Sequence, residues 1–344
     1  MASPGIAGVE LASGIVRAVV GYRDDGRLRV TGVGHAALAP GAVSGGHVAD
    51  RRALVPALAS ALAAAERAGR AERVIVAIDG DDIRTYHDTA TFERIAQDGP
   101  VSAGEAVRAT RLAREAAART GRDLAADDPS LRGVATAELR DDVAGFVIDG
   151  RTVASAVGHR GRHIEVRTDI ALAPLVQAGA ATAVLDAAKR RATATCGVYA
   201  LARLLAESGI AEAGLARISA DLTAIAVVRE GRVVATRAFG LGGGPLLARG
   251  STPGDAAVWA RCVSITLSLL GVEIPAQWYV AGVTEELSAL PPALASVLGA
   301  DRGGAALVLP LRTSLAARVI ADATLGADDL VAAGAAALGS EAYA

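Results

Sequence analysis

Two stretches of this chain follow one pattern, and that repetition restricts the possible folds more than any other feature. The first runs Gly8-Val9-Glu10-Leu11-Ala12, a small-residue loop Ser13-Gly14, apolar residues 15–20, the turn Asp24-Asp25-Gly26 and a returning run 28–33. The second runs Ala216-Arg217-Ile218, the loop Ser219-Ala220-Asp221, Leu222 and Thr223 into apolar residues 224–228, the turn Glu230-Gly231 and a returning run 233–239. Apolar runs joined by short glycine-bearing turns read as hairpins. Two copies of strand, loop, strand, turn, strand read as an α/β domain that has been duplicated.

The residues around the copies extend the pattern. After Asp50, an N-cap type, Leu54, Leu58, Leu62 and Ala65 recur at helical spacing until Gly69. Residues 74–78 are then a buried strand that ends at Asp79-Gly80. Residues 81–166 differ in texture. They hold a charged helix over 102–120 whose only large apolar residues are Val107 and Leu112, a loop at Asp127-Asp128-Pro129, and strand-like pieces at 144–148 and 163–170. So polar a helix buries only a narrow stripe, which marks a small α+β insert. Two helices are expected next, over 182–191 and 195–208, and another around 256–270.

Charge and composition exclude several functions. With 35 basic and 37 acidic residues the net charge is -2, which gives no field for a nucleic acid backbone or an anionic lipid surface. Lys189 is the sole lysine, so no P-loop lysine exists in the N-terminal half. Cys196 and Cys262 fall in segments that read as helical and buried, far apart in the chain, which argues against a disulfide or a zinc site. Residues 1–8 carry no basic leader, and no run reaches the roughly 20 apolar residues that span a bilayer. Residues 172–185 are broken by Gln177 and Gly179 and read as core. A cytoplasmic, soluble protein is expected.

Paired hairpins with facing small-residue loops can hold phosphate between backbone N–H groups. Here the sequence resembles the FtsA family of bacterial actin-like proteins, with the pilus-assembly protein PilM a close relative. The resemblance rests on Gly32-Val33-Gly34, Gly46-His47-Val48-Ala49-Asp50, Ala65-Glu66-Arg67-Ala68-Gly69, Ile78-Asp79-Gly80-Asp81-Asp82-Ile83-Arg84, Pro100-Val101-Ser102, and Val147-Ile148-Asp149-Gly150 with Gly158 and Gly161. It implies a duplicated actin-like (RNase H-like) ATPase fold. Lobe I is expected over 1–80 and 167–208, the inserted subdomain over 81–166, and lobe II over 209–344, with its own small subdomain reduced to about 245–278.

The resemblance also assigns a nucleotide site, made of three loops. The first holds Glu10, Ala12, Ser13 and Gly14; the second Ser219, Ala220, Asp221 and Thr223; the purine loop Gly282, Val283 and Thr284. Each departs from the family pattern. Ala12 stands where a glycine is usual, and Arg217 where an acidic group would hold a magnesium-bound water. Asp221 brings negative charge toward a polyphosphate, and β-branched Val283 and Thr284 replace small purine-loop residues. The tail, Gly339-Ser340-Glu341-Ala342-Tyr343-Ala344, lacks a basic amphipathic helix, so no autonomous membrane anchor is expected.

Other groupings have plain readings. His159 and His163 would share a helical face, but Gly158 and Gly161 favour a loop there and not a metal site. Gly240-Leu241-Gly242-Gly243-Gly244 reads as a tight turn. Lys189-Arg190-Arg191 reads as a helix C-terminal cap, and Asp81-Asp82 as a solvated loop.

These readings point to an actin-fold scaffold or adaptor in a division, envelope or pilus assembly complex. It would have no catalytic residue, no resident metal, and either no cofactor or weakly bound ATP and magnesium. Protein partners would be held through 81–166 and would recruit the chain to the inner membrane face; self-association is left open. An ATP-binding protein using Glu10, Ser13, Asp221 and Thr223 is the alternative. A sugar kinase ranks third, because Ala224 stands where its catalytic aspartate would be.

Overall fold

The computed structural model describes residues 5–94, 99–187 and 191–341. In chain order the first sheet is built from β1 (Ile6–Ala12), β2 (Ile15–Asp24) and β3 (Arg27–Ala37), followed by a two-residue ribbon, β4 (Val43–Ser44) and β5 (His47–Val48), helix α1 (Arg51–Ala65) and strand β6 (Arg73–Ile78). The β2–β3 turn has positive φ at both Asp25 (45°) and Gly26 (72°), the geometry that matches the twist of the flanking strands. Asp50 caps α1 by accepting the Arg52 and Ala53 amides at 2.8 and 3.2 Å, and Leu54, Leu58 and Leu62 are buried.

Two compact units divide the chain, Met1–Ile83 with Val176–Tyr343, and Arg84–Leu175. The second unit contains β7 (Arg84–Glu93), α2 (Ala103–Asp127), β8 (Thr136–Ile148), β9 (Arg151–Val153) and β10 (His163–Pro174), with sheet order β7-β10-β8-β9. The sequence boundary at 81–166 is displaced because β10 continues as a strand to Pro174. Helix α2 is also longer than expected, and Val107 is 69% exposed. The buried stripe is instead Ala106, Ala109, Ala113, Ala117, Gly121 and Ala125, small residues that let the helix lie close to the sheet. A Cβ on Gly121 would come within 3.0 Å of Ile170.

The larger unit resumes through α3 (Leu175–Ala187), β11 (Arg191–Cys196) and α4 (Gly197–Glu207). Residues 191–196 pair in parallel with β6, which corrects the ends of the helices expected over 182–191 and 195–208: α3 ends at Ala187, and α4, over Gly197–Glu207, begins only after Cys196. Thr193 and Thr195 alternate with alanine there, and β-branched residues suit a pleated strand better than alanine content suggests. Of the basic cluster, Lys189 and Arg190 lie outside the described residues.

The second sheet follows: β12 (Ala213–Ile218), β13 (Thr223–Arg229), β14 (Arg232–Phe239), α5 (Gly243–Ala248), α6 (Pro253–Leu270), β15 (Gln277–Ala281), α7 (Leu290–Asp301), β16 (Leu307–Pro310), then β17 (Val319–Ala321) and α8 (Leu330–Glu341). Its order is β14-β13-β12-β15-β16, against β11-β6-β1-β2-β3-β17 in the first. Aligning β1 with β12 and β6 with β15 gives one topology twice, with β17 as an added edge. The turn repeats as well, Glu230 (φ 52°) and Gly231 (φ 68°) matching Asp25 and Gly26.

The fold is thus a duplicated α/β structure, as the repeat implied. Residues 245–278, expected as a reduced subdomain, contribute α6 to the lobe II core, where Trp259, Val263 and Leu267 pack with Trp278 and Leu294. Helix α8 returns to the first sheet and lies against β1. A Cβ on Gly8 would stand 1.9 Å from the Ala332 carbonyl oxygen, so only glycine allows that approach.

Candidate functional site

The carboxyl ends of β1, β6 and β12 supply the charged core of the site. Glu10 lies on β1 opposite Arg17 of β2, Asp79 follows the last residue of β6, and Arg217 is the penultimate residue of β12. In open α/β sheets such strand ends are where ligands bind. All three side chains are buried. One Arg217 terminal nitrogen forms an ion pair with Glu10 Oε1, and the other, Nη1, donates to Asp79 Oδ2 at 3.4 Å. Arg17 Nη1 reaches Glu10 Oε2 at 3.4 Å, and its Nη2 lies 3.8 Å from Asp328 Oδ2. Glu10 and Asp79 are therefore balanced by Arg17 and Arg217.

Asp79 also accepts the Val198 amide at 2.8 Å, from the first turn of α4, and lies 3.6 Å from Cys196 Sγ. Burial pushes its carboxyl up to about 6, against the pull of the Val198 amide, the thiol and the Gly197 amide. Burial also pushes the Cys196 thiol well up, and the nearby Asp79 carboxylate adds to this, so that sulfur is protonated and inert. Arg217 is lowered by burial to about 10 and stays charged at neutral pH. Cys262 is half-buried on α6, where the sequence suggested full burial.

The loops assigned to phosphate are largely occupied by the chain's own contacts. Ala12 is buried at the end of β1, half-buried Ser13 and exposed Gly14 form the β1–β2 turn, and the Gly14 carbonyl accepts the Leu38 amide at 3.0 Å. In the second loop the Ser219 hydroxyl donates to the Leu222 carbonyl at 3.0 Å. The Ser219 and Ala220 carbonyls accept the Gly243 and Gly244 amides at 2.8 and 2.7 Å. A Cβ on Gly242 would meet the Leu222 nitrogen at 2.5 Å, which explains the glycine run that reads as a tight turn. Asp221 accepts the Gly45 amide at 2.7 Å, joining the second hairpin loop to the β4–β5 ribbon.

Thr223 is fully buried, its hydroxyl donating to the Leu241 carbonyl at 2.7 Å and accepting the Trp259 indole N–H at 2.9 Å. Gly282 has φ 76°, and a Cβ there would stand 1.9 Å from the Ile218 carbonyl oxygen. Val283 packs on the lobe II core and exposed Thr284 begins a short 3₁₀ turn. Glu10 thus joins Arg217, Asp221 joins Gly45 and Thr223 joins Trp259, each a different partner and none of them one of the other three proposed phosphate residues.

The sequence singled out neither Asp79 nor Gln177 as a site residue. An Asp-Gly pair at the end of a fully apolar strand, level with the end of β1, was the available signal for Asp79. Gln177 is buried and donates to the Gly46 carbonyl at 3.0 Å, and its pairing has no signature in sequence. His47 Nε2 lies 3.4 Å from Asp82, and these two with Asp81 form an exposed group whose ligand-type atoms lie within 4.8 Å of one another. His163 opens β10, and its Nδ1 is 3.5 Å from Asp149, while exposed His159 lies in a loop. Among the described residues no helix is long and apolar enough to cross a membrane.

A solved structure shares this architecture over nearly the whole chain. A PilM-PilN type IV pilus biogenesis complex contains a chain similar to it with TM-score 0.60 and 18% identity, over 97% of this chain and 98% of that one. The ethanolamine utilization protein EutJ from Carboxydothermus hydrogenoformans is similar with TM-score 0.49 and 15% identity, over 97% and 89%. A protein of actin-like ATPase fold from Bacteroides thetaiotaomicron has TM-score 0.42 and 8% identity, over 90% and 91%. No family model and no curated protein matches the sequence. The chain has the actin-like ATPase fold.

That fold implies a magnesium nucleotide between the paired hairpins, and the residues present do not fit one. The guanidinium of Arg217 occupies the space between Glu10 and Asp79, and their charge is already balanced. The second loop spends its carbonyls on Gly243 and Gly244 and its Asp221 carboxylate on Gly45, leaving a negative side chain where phosphate would approach.

Proposed function

We propose that the chain is an actin-fold scaffold of a bacterial envelope-assembly complex, of the pilus type, and that it works without nucleotide turnover as a pseudo-ATPase. The observation that carries this reading is the pairing of Arg217 with both Glu10 and Asp79, which fills the charged centre of the cleft with a side chain. The assembly context is supported by the likeness to PilM, which the solved complex places with PilN in type IV pilus biogenesis.

In this reading Arg84–Leu175 is the unit that holds protein partners, and a membrane-bound partner brings the chain to the inner membrane face. The test combines affinity purification of the cross-linked, tagged chain from its own cells with an assay of the purified chain for magnesium-dependent ATP hydrolysis. Pilus or envelope-assembly proteins should be enriched, enrichment should disappear on deletion of residues 84–175, and turnover should stay at background. Enrichment of division proteins alone would move the scaffold to cell division. ATP hydrolysis that Glu10→Ala abolishes would replace the scaffold reading with the ATP-binding alternative.

A further inference from the structure

Two carboxylates that converge from neighbouring strand ends in a buried cleft need a cation between them, because burying like charges together without one is costly. Glu10 and Asp79 are such a pair, and Arg217, from the other sheet, provides the cation. We propose that Arg217 is the resident cation of the cleft, doing with a covalently attached guanidinium what a diffusible divalent ion would do, so that the chain itself sets the closure of the two lobes. This deepens the scaffold reading and rests on it for the absence of a nucleotide cycle.

Three observations converge. The two terminal nitrogens of Arg217 face two different carboxylates of the opposite sheet, one in an ion pair with Glu10 Oε1 and the other donating to Asp79 Oδ2 at 3.4 Å, a two-point contact that a single point charge lacks. The buried carboxylates Glu10 and Asp79 already face Arg17 and Arg217, with exposed Asp328 as a further negative neighbour of Arg17, so a divalent ion would have to compete with two arginines for carboxylates that are already paired. A second link runs across the same cleft, from Asp221 of the β12–β13 loop to the Gly45 amide. Closure in a nucleotide-dependent protein of this shape has to be reversible. Here the side chains on both sides already complete each other.

The test uses the full chain and manganese(II) chloride as probe, read by thermal unfolding. The wild type should show no rise in midpoint with manganese. Arg217→Ala should lower the midpoint by several degrees and regain most of that loss as manganese fills the vacated position, since an ion that binds only the folded state stabilises it by mass action. Arg217→Lys should keep part of the midpoint and stay insensitive to manganese. A wild type stabilised by manganese, or an Arg217→Ala protein that manganese does not rescue, overturns the inference.

Should Arg217→Ala fail to fold, hydrogen exchange on the wild type decides. Without nucleotide the Gly45 amide should exchange about 100-fold or more slowly than an open loop amide, and free exchange there overturns the inference. ATP hydrolysis by the wild type would sink the scaffold reading. Absence of manganese rescue with no hydrolysis would sink the resident cation alone.

Discussion

The Asp221 carboxylate accepts the Gly45 amide at 2.7 Å, so a residue of the second hairpin loop holds down the turn of the β4–β5 ribbon. Gly45 and Gly46 both have positive φ, 55° and 84°, and a Cβ on Gly46 would fall 1.6 Å from the Asp79 carbonyl oxygen. The turn is therefore pressed against the end of β6 by its own glycines and fastened by Asp221. A charge-assisted hydrogen bond of this kind is worth about 1.5–3 kcal/mol. Asp221→Ala should lower stability by an amount in that range in urea unfolding, with Asp221→Asn closer to wild type. If Asp221 instead held a metal ion, neither change would alter the stability of the metal-free protein.

Thr223 distinguishes structure from phosphate chemistry in the same way. Its hydroxyl accepts the Trp259 indole N–H and donates to Leu241, all inside the lobe II core. Thr223→Val keeps the shape and leaves a buried indole donor without its partner, a cost of about 1–3 kcal/mol. The expected outcome is a lower unfolding midpoint and a changed tryptophan emission, and Thr223→Ser should restore most of both. An unchanged midpoint would show that the hydroxyl does not support the core.

Backbone approach at the third loop gives a harsher expectation. Gly282 combines φ 76° with a carbonyl 1.9 Å from the position of a Cβ, so Gly282→Ala must move either β12 or the loop that follows β15. A loss of about 2–4 kcal/mol, or failure to accumulate folded protein, is expected, in the range of strongly destabilising single changes. Gly14 serves as the control. It also has positive φ, 81°, but open space around it, so Gly14→Ala should cost about 1 kcal/mol, for strain alone.

How much of this was legible in the sequence depends on the range of the interaction. The hairpins were legible because Asp25-Gly26 and Glu230-Gly231 impose turn geometry locally, and the α1 cap was legible because Asp50 acts two and three residues away. Strand β11 was not, since alanines flanking Thr193 and Thr195 carry a helix-like composition and pairing with β6 decides the outcome. Arg217 stood out as a residue of the wrong charge for a metal site, but its two partners lie 207 and 138 positions away in sequence. Only the duplicated topology, which brings the ends of β1, β6 and β12 together, shows that the arginine pairs with both carboxylates.

Asp79 makes the assignment measurable by pH. Its carboxyl is held at about 6 by burial, above the 3.8 of an unperturbed aspartate. The folded state therefore binds a proton between those values that the unfolded chain has released, so the contribution of Asp79 is fully present below about pH 3.8. It is lost as pH rises through about 6. Asp79→Asn removes this titration while keeping an acceptor for the Val198 amide. The stability of the wild type relative to Asp79→Asn should therefore fall as pH rises from about 4 to 6 and level off above it. The opposite slope, with the wild type gaining over Asp79→Asn as pH rises, would mean that the Arg217 guanidinium dominates burial at this carboxylate, and a slope near zero would mean that Asp79 titrates as it does in the unfolded chain. Arg217→Lys should change the slope as well, because a compact ammonium charge replaces the guanidinium fork between Glu10 and Asp79.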